Sequence, residues 1–260
     1  MNKTILFSLS VFISAFLLTA CKKTDSNTAN NQTIDTSFVN GLFVSKTGSL
    51  QINFTYSFGQ SPLVFNSKNY VNASYDTITI TDLKHYFSNF SLQKADSTWL
   101  NFNNCNLIDV KAGRNMTLNI SNVPAGNYRA IAFDIGIDKV RNSSMSLMGD
   151  LDPAWGMYWT WSTGYVFFRI MGNLPPTDSG YSLDLGGDNN LPHIELPLTA
   201  FKVKTESPQL TLNMDINEIF QNPNKYSLVN DGMVIHSNTA PGALKIAQNM
   251  LDMASVTSLK

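Results

Sequence analysis

The sequence predicts an all-β fold, a β-sandwich or Greek-key barrel with a short C-terminal helix. Three observations predict it. Apolar residues recur at every second position in many short runs, the period of a half-buried strand. Clusters of Gly, Pro and Asn separate those runs. No segment repeats at a fixed period, which disfavours propellers and solenoids.

The chain opens on residues that read as a targeting signal. Lys3 gives a positive start, and Ile5 to Leu18 is apolar but too short and too interrupted by serine to span a membrane. Leu18-Thr19-Ala20-Cys21 resembles the lipobox of bacterial lipoproteins. Residues 1–20 are therefore expected to be a lipoprotein signal peptide, with acyl chains such as palmitate anchoring Cys21 to a membrane. The competing reading is a soluble secreted protein with an incidental cysteine. Residues 21–36 are rich in Asn, Thr, Ser and Asp and read as a flexible tether. Residues 37–260 form the expected folded domain, long enough for one large β domain. The expected location is the cell envelope, at the outer membrane or facing the periplasm.

Leu50, Ile52, Phe54, Tyr56 and Phe58 share one face of the first clear strand. Ile78 and Ile80, Phe90 and Leu92, Leu107 to Val110, and Met116, Leu118 and Ile120 continue the pattern. The turn Asn122 to Gly126 feeds a strand from Tyr128 to Ile137. Tyr165 to Met171 is apolar on both faces and so reads as a central strand. Asn173 to Gly180 is a Pro-rich turn, Tyr181 to Leu185 a strand, and Gly186 to Asn190 another turn. Ile194, Leu196 and Leu198 alternate again, as do Leu210, Leu212 and Met214. Asp215 to Phe220 allows one helical turn. Pro241 to Met253 reads as a helix, with Asn238 or Thr239 as its cap and Pro241 in its first turn.

The chemistry-bearing residues are few. The net charge is -1 and no basic run exists, so nucleic acid is not an expected partner. There is no GxSxG, HExxH, CxxC, P-loop or dinucleotide fingerprint, and no enzymatic activity is expected. An enzyme would need a convergent acid–base pair, for which Asp134, Asp138, Asp184 and Glu195 are the candidates. Cys105 is left without a partner once Cys21 is lipidated and reads as a small buried hydrophobe. Asp138, Arg141, Asp150 and Asp152 read as turn and capping residues, with a divalent-cation role for Asp150 and Asp152 as the alternative. His85, His193 and His236 are isolated in sequence, so any metal site must assemble across strands. The densest signal is Asp150 to Tyr165, which packs Trp155, Trp159 and Trp161 beside Met145, Met148 and Met157. Thioethers suit Cu(I), and indole faces suit soft cations. The plainer alternative is methionine filling gaps around large rings.

Ordered pieces of the chain resemble the MbnP-like family of copper-binding proteins, methanobactin-associated proteins of the periplasm or lipid-anchored. They are Gly59 to Leu63, Leu83 to Leu92, Val123 to Tyr128, Ile131 to Asp138, Leu151 to Tyr165, Ile235-His236-Ser237 and Lys245 to Asn249. The resemblance covers roughly Ser49 to Val256. It implies an all-β fold and a non-catalytic, copper-handling role. It also implies that a tryptophan, Trp159 or Trp161 and preferentially Trp159, is oxidised to kynurenine by a dihaem, peroxidase-like partner. The implied metal residues are Trp159, Trp161, His236, Met157 and Asp184. Two positions depart from the family pattern, where histidine is usual: Tyr56 and Asp184. The competing reading is a structural or interaction β-sandwich lipoprotein that binds no metal.

Overall fold

A computed structural model of the chain describes residues 36–39, 42–144, 146–160, 162–204 and 207–260, with side chains from residue 46 onward. The expected signal segment, Cys21 and the tether as far as residue 35 lie outside the described residues, as do Met145 and Trp161.

In chain order the strands are β1 (Thr36–Val39), β2 (Leu42–Ser45), β3 (Thr47–Phe58), β4 (Ser61–Pro62), β5 (Tyr70–Val71), β6 (Thr77–Lys94), β7 (Trp99–Asn101), β8 (Cys105–Asp109), β9 (Thr117–Pro124) and β10 (Gly126–Ile135). The short helix α1 (Lys139–Ser143) leads to β11 (Tyr158–Thr160), β12 (Gly164–Leu174), β13 (Ser179–Gly186), β14 (His193–Val203), β15 (Gln209–Asp215) and β16 (Val234–Ile235). Helix α2 (Pro241–Asn249) precedes β17 (Ala254–Leu259).

These strands form a sandwich. The larger sheet runs β14-β10-β6-β12-β13-β16, with β5, β7 and β8 also paired to β6, and β11 paired to β12. The smaller runs β17-β15-β3-β4, with β9 on β3. The hairpin β1–β2 pairs with itself. The main core lies between the two sheets, because alternation turns one face of each strand inward. Leu50, Ile52 and Phe54 of β3 meet Leu83, Phe87 and Phe90 of β6 there. Phe54 and Phe87 cross the gap as an edge-to-face pair at 5.0 Å.

The apolar run at Tyr165–Met171 is flanked by β6 on one side and β13 on the other, as its two-faced hydrophobicity requires. Its inner residues Phe168 and Ile170 join the main core. Its outer residues meet a second cluster on the far face of the sheet, with Tyr86, Leu107, Leu151, Met157, Tyr165 and Phe167. The tryptophan segment is the lid of that cluster.

The C-terminal helix is shorter than expected. It stops at Asn249, passes through a 3-10 turn at Met250–Asp252, and gives way to β17. Its N-cap is Ala240, not Asn238 or Thr239, and Pro241 sits in its first turn. The Thr239 hydroxyl is engaged with that of Ser237 instead, at 3.0 Å. Pro241 at the first helical position lacks only an amide that would have no partner within the helix.

Candidate functional site

Local hydrogen bonds explain the course of the tryptophan segment. Gly149–Leu151 and Pro153–Trp155 are 3-10 turns. The Asp152 carboxylate caps the second by accepting from the Ala154 amide at 2.8 Å. Gly156 closes it at φ 74°, a left-handed conformation that suits glycine. Asp150 is a staple: its carboxylate accepts from the Leu107 amide and from Asn115, each at 3.1 Å, and pairs with Arg114. The Arg114 guanidinium lies 3.9 Å from the Trp155 ring centroid, and the Trp155 indole donates to the Gly149 carbonyl at 2.8 Å. Asp138 caps α1 and pairs with Arg141. Asp138, Arg141, Asp150 and Asp152 are thus spent on structure.

Met157 is 1% exposed and packs inside the outer cluster. Burying such a side chain contributes about 1.5–3 kcal/mol, which accounts for its presence without a metal. Met148, by contrast, is exposed.

Trp159 follows on β11, where Tyr158 pairs with Tyr165 and Thr160 with Gly164. Its six-membered ring lies against Gly186 at the end of β13. A methyl group placed there would sit 2.9 Å from Trp159 Cζ3 and would collide with the Tyr165 carbonyl. Glycine is required at this position by close approach. The Trp159 indole Nε1 is buried and has no hydrogen-bond partner among the described residues. Its ring stands edge-on to the His236 imidazole, with centroids 5.9 Å apart and planes at 69°.

His236 follows β16, which lies parallel beside β13 with Leu183 opposite Ile235. This register brings His236 to Asp184. The His236 Nδ1 lies 3.1 Å from Asp184 Oδ2, and the imidazole is 64% exposed. Asp184 is almost wholly buried, and its two oxygens accept from Arg169 Nε at 2.6 Å and Nη2 at 2.7 Å. The same guanidinium donates through Nη1 to the Gly156 carbonyl at 2.8 Å. Hydrogen bonding from Asp184 raises the Arg169 pKa above its ordinary value, and burial opposes it.

Both Asp184 oxygens, expected to serve as metal ligands, are engaged by the guanidinium, and Oδ2 by the imidazole as well. Tyr56 is elsewhere. It faces inward from β3, and its hydroxyl lies 2.7 Å from Nε2 of the fully buried His85. His85 pairs with Phe168 on β12, while Asp184 pairs with Arg169 one residue on. Successive residues point to opposite faces, so the sheet separates Tyr56 from Asp184. The third histidine, His193, is 2.7 Å from Asp134 on β10 and 3.5 Å from Glu195. Cys105 is partly buried beside the outer cluster, and burial pushes its thiol up to about 12. Among the described residues, no three His, Cys, Asp or Glu side chains gather as a metal cage.

The family model MbnP matches residues 47–251. The chain belongs to the MbnP family. The solved structure of MbnP from Methylosinus trichosporium aligns with a TM-score of 0.54 at 14% identity, covering 82% of this chain and 100% of that one, a likeness of fold. No curated protein matches the chain in sequence. In this MbnP-family chain the two positions read as departures, Tyr56 on β3 of the smaller sheet and Asp184 on β13 of the larger, lie on opposite sides of the larger sheet. Trp159, His236 and Asp184 come together; Met157 lies in the cluster beneath the segment, and Tyr56 is across the sheet. Sequence reasoning missed Arg169. The signal was present as a lone charge in the apolar run Tyr165-Val-Phe-Phe-Arg-Ile-Met171.

Proposed function

We propose that the chain is a lipid-anchored, non-catalytic copper-handling protein of the cell envelope, with copper held between His236 and an oxidised Trp159. The observation that carries this reading is the orphaned indole nitrogen of Trp159, buried beside an exposed imidazole. A buried N–H without an acceptor is unfavourable by about 1–3 kcal/mol. Oxidative cleavage of the indole C2–C3 bond, with hydrogen peroxide as the oxidant, turns C3 into a ketone; hydrolysis then releases C2 as formate and leaves that nitrogen as an arylamine with a lone pair. The group that lacked an acceptor becomes a donor to a metal.

The residues fit copper better than a hard ion. Nitrogen donors suit copper, and Cu(I) accepts few ligands. Calcium needs six or more oxygens, and the one carboxylate here is already held by Arg169. When bound, copper would supply a soft Lewis-acid centre. The chain's residues bind it, orient the imidazole and keep one side of the site dry. A dihaem, peroxidase-like partner catalyses that oxidation, and Cys21 supplies the membrane anchor. Trp161 is the alternative site of oxidation within the same motif.

The test is to purify the protein from its native host, quantify bound copper, and map the Trp155–Tyr165 peptide by mass spectrometry. Copper together with an oxidised Trp159 supports the reading; absence of both overturns it. A second reading, a packing or docking module without metal, is favoured by Met157 and Trp155, which are already engaged in the outer cluster. It predicts an unmodified peptide and no copper.

A further inference from the structure

Arg169 is the one charged residue in a central strand that is otherwise apolar, and it does not face a random partner. Its register neighbour on β13 is Asp184. The guanidinium engages both carboxylate oxygens, at 2.6 and 2.7 Å, in the bidentate geometry that fixes a carboxylate's plane as well as its position. One of those oxygens, Oδ2, also lies 3.1 Å from His236 Nδ1. The third guanidinium contact runs to the carbonyl of Gly156, three residues before Trp159.

We infer that Arg169 and Asp184 are positioning residues that hold His236 in its Nδ1–H tautomer and leave Nε2 as its only ligand nitrogen. The chemistry is elementary. A carboxylate between a guanidinium and an imidazole accepts and cannot donate. The imidazole nitrogen facing it must carry the proton, and the neutral ring's lone pair is then on Nε2. Carboxylates that orient metal-binding histidines act in this way. Asp184, which stands where an imidazole ligand is expected from the family pattern, serves the site through His236 rather than by binding metal itself. Through Gly156 the same guanidinium ties this arrangement to the segment that carries Trp159. A lysine could supply charge at this point, but not three fixed donors to two oxygens and a carbonyl.

The identity of the metal rests on the function proposed above; the tautomer does not. The full-length chain, produced in its native host with Trp159 oxidised, labelled with 15N-histidine and stripped of metal in detergent, is examined by long-range proton–nitrogen correlation at a pH where imidazole is neutral. His236 is assigned by comparison with His236→Gln. The expected spectrum has a pyrrole-type Nδ1 and a pyridine-type Nε2. In Asp184→Leu no acceptor faces Nδ1, so the preference for Nδ1–H is lost and Nε2–H becomes the major form, as in a free imidazole. Titration with Ag(I) alone, a stand-in for Cu(I), then weakens by about 10–100-fold in Asp184→Leu. Arg169→Lys retains the Nδ1–H tautomer, because Asp184 is still present, but binds Ag(I) less tightly than the parent.

An Nε2–H tautomer in the parent overturns the inference without requiring any variant to fold. An unchanged tautomer in folded Asp184→Leu also overturns it. If the parent shows Nδ1–H and no Ag(I) or Cu(I) binds, the positioning pair stands and the copper reading fails. If metal binds an Nε2–H imidazole parent, the reverse holds.

Discussion

Acidification should weaken the fold through one buried residue, His85. Its ring is fully buried, stacks on Phe168 with centroids 6.2 Å apart, and has both nitrogens engaged, by the Tyr56 hydroxyl at 2.7 Å and the Tyr86 carbonyl at 3.2 Å. Burial pushes its pKa from 6.5 down to about 4, with the Tyr86 carbonyl opposing. The unfolded chain takes up a proton as pH falls through 6.5, whereas the folded chain stays neutral until about 4. Stability is therefore fully present above 6.5 and falls steadily across that window. The whole gap corresponds to about 3 kcal/mol, of which about 2 kcal/mol is lost between roughly pH 7 and pH 5. The assay is urea unfolding of the full-length chain across this range, beside the double variant Tyr56→Phe/His85→Leu. His193 and His236 are common to both proteins and cancel in the difference. The variant is expected to lose about 2 kcal/mol less than the parent over this range. Parallel pH profiles would refute the reasoning.

Other perturbations separate packing from binding. Met157→Ala should destabilise by about 2–5 kcal/mol, whereas Met157→Leu should cost less than about 1.5 kcal/mol and leave bound copper unchanged, read by thermal melting and metal analysis. A fall in copper for folded Met157→Leu would make the thioether a ligand. Gly186→Ala forces the Trp159 ring and the Tyr165 carbonyl apart, destabilising by about 1–3 kcal/mol and altering tryptophan fluorescence. A neutral result would place the indole elsewhere. Arg114→Ala removes the cation over Trp155 and the partner of Asp150 and should cost about 1–3 kcal/mol in denaturant unfolding, with Ag(I) affinity unaffected.

Much of the sandwich was legible because its strands bury one face. Leu50, Ile52, Phe54, Tyr56 and Phe58 could alternate only if one side met a core, and the central position of Tyr165–Met171 followed from apolar residues on both sides. The strand β17 was not legible, because Ala254–Leu259 is mostly polar or small and takes its place by pairing with β15. The site was legible in part. Trp159 and His236 stood out by motif, but the partnership of Asp184 with Arg169 is a matter of cross-strand register, which leaves no periodic mark in either strand. The same register set Tyr56 and Asp184 on opposite sides of the larger sheet, a distinction that sequence order cannot make. The crowding of aromatics resolved into two separate roles among the described residues: Trp155 packs under Arg114, and Trp159 stands beside His236.

The central claim is that His236, next to Trp159, holds copper. The most direct measurement is copper per chain in protein purified from the native host, for the parent and for His236→Ala. About one copper per parent chain and almost none in a folded His236→Ala chain is the predicted result, on a site with a single imidazole donor. Equal copper in the two proteins, or none in the parent, would contradict it.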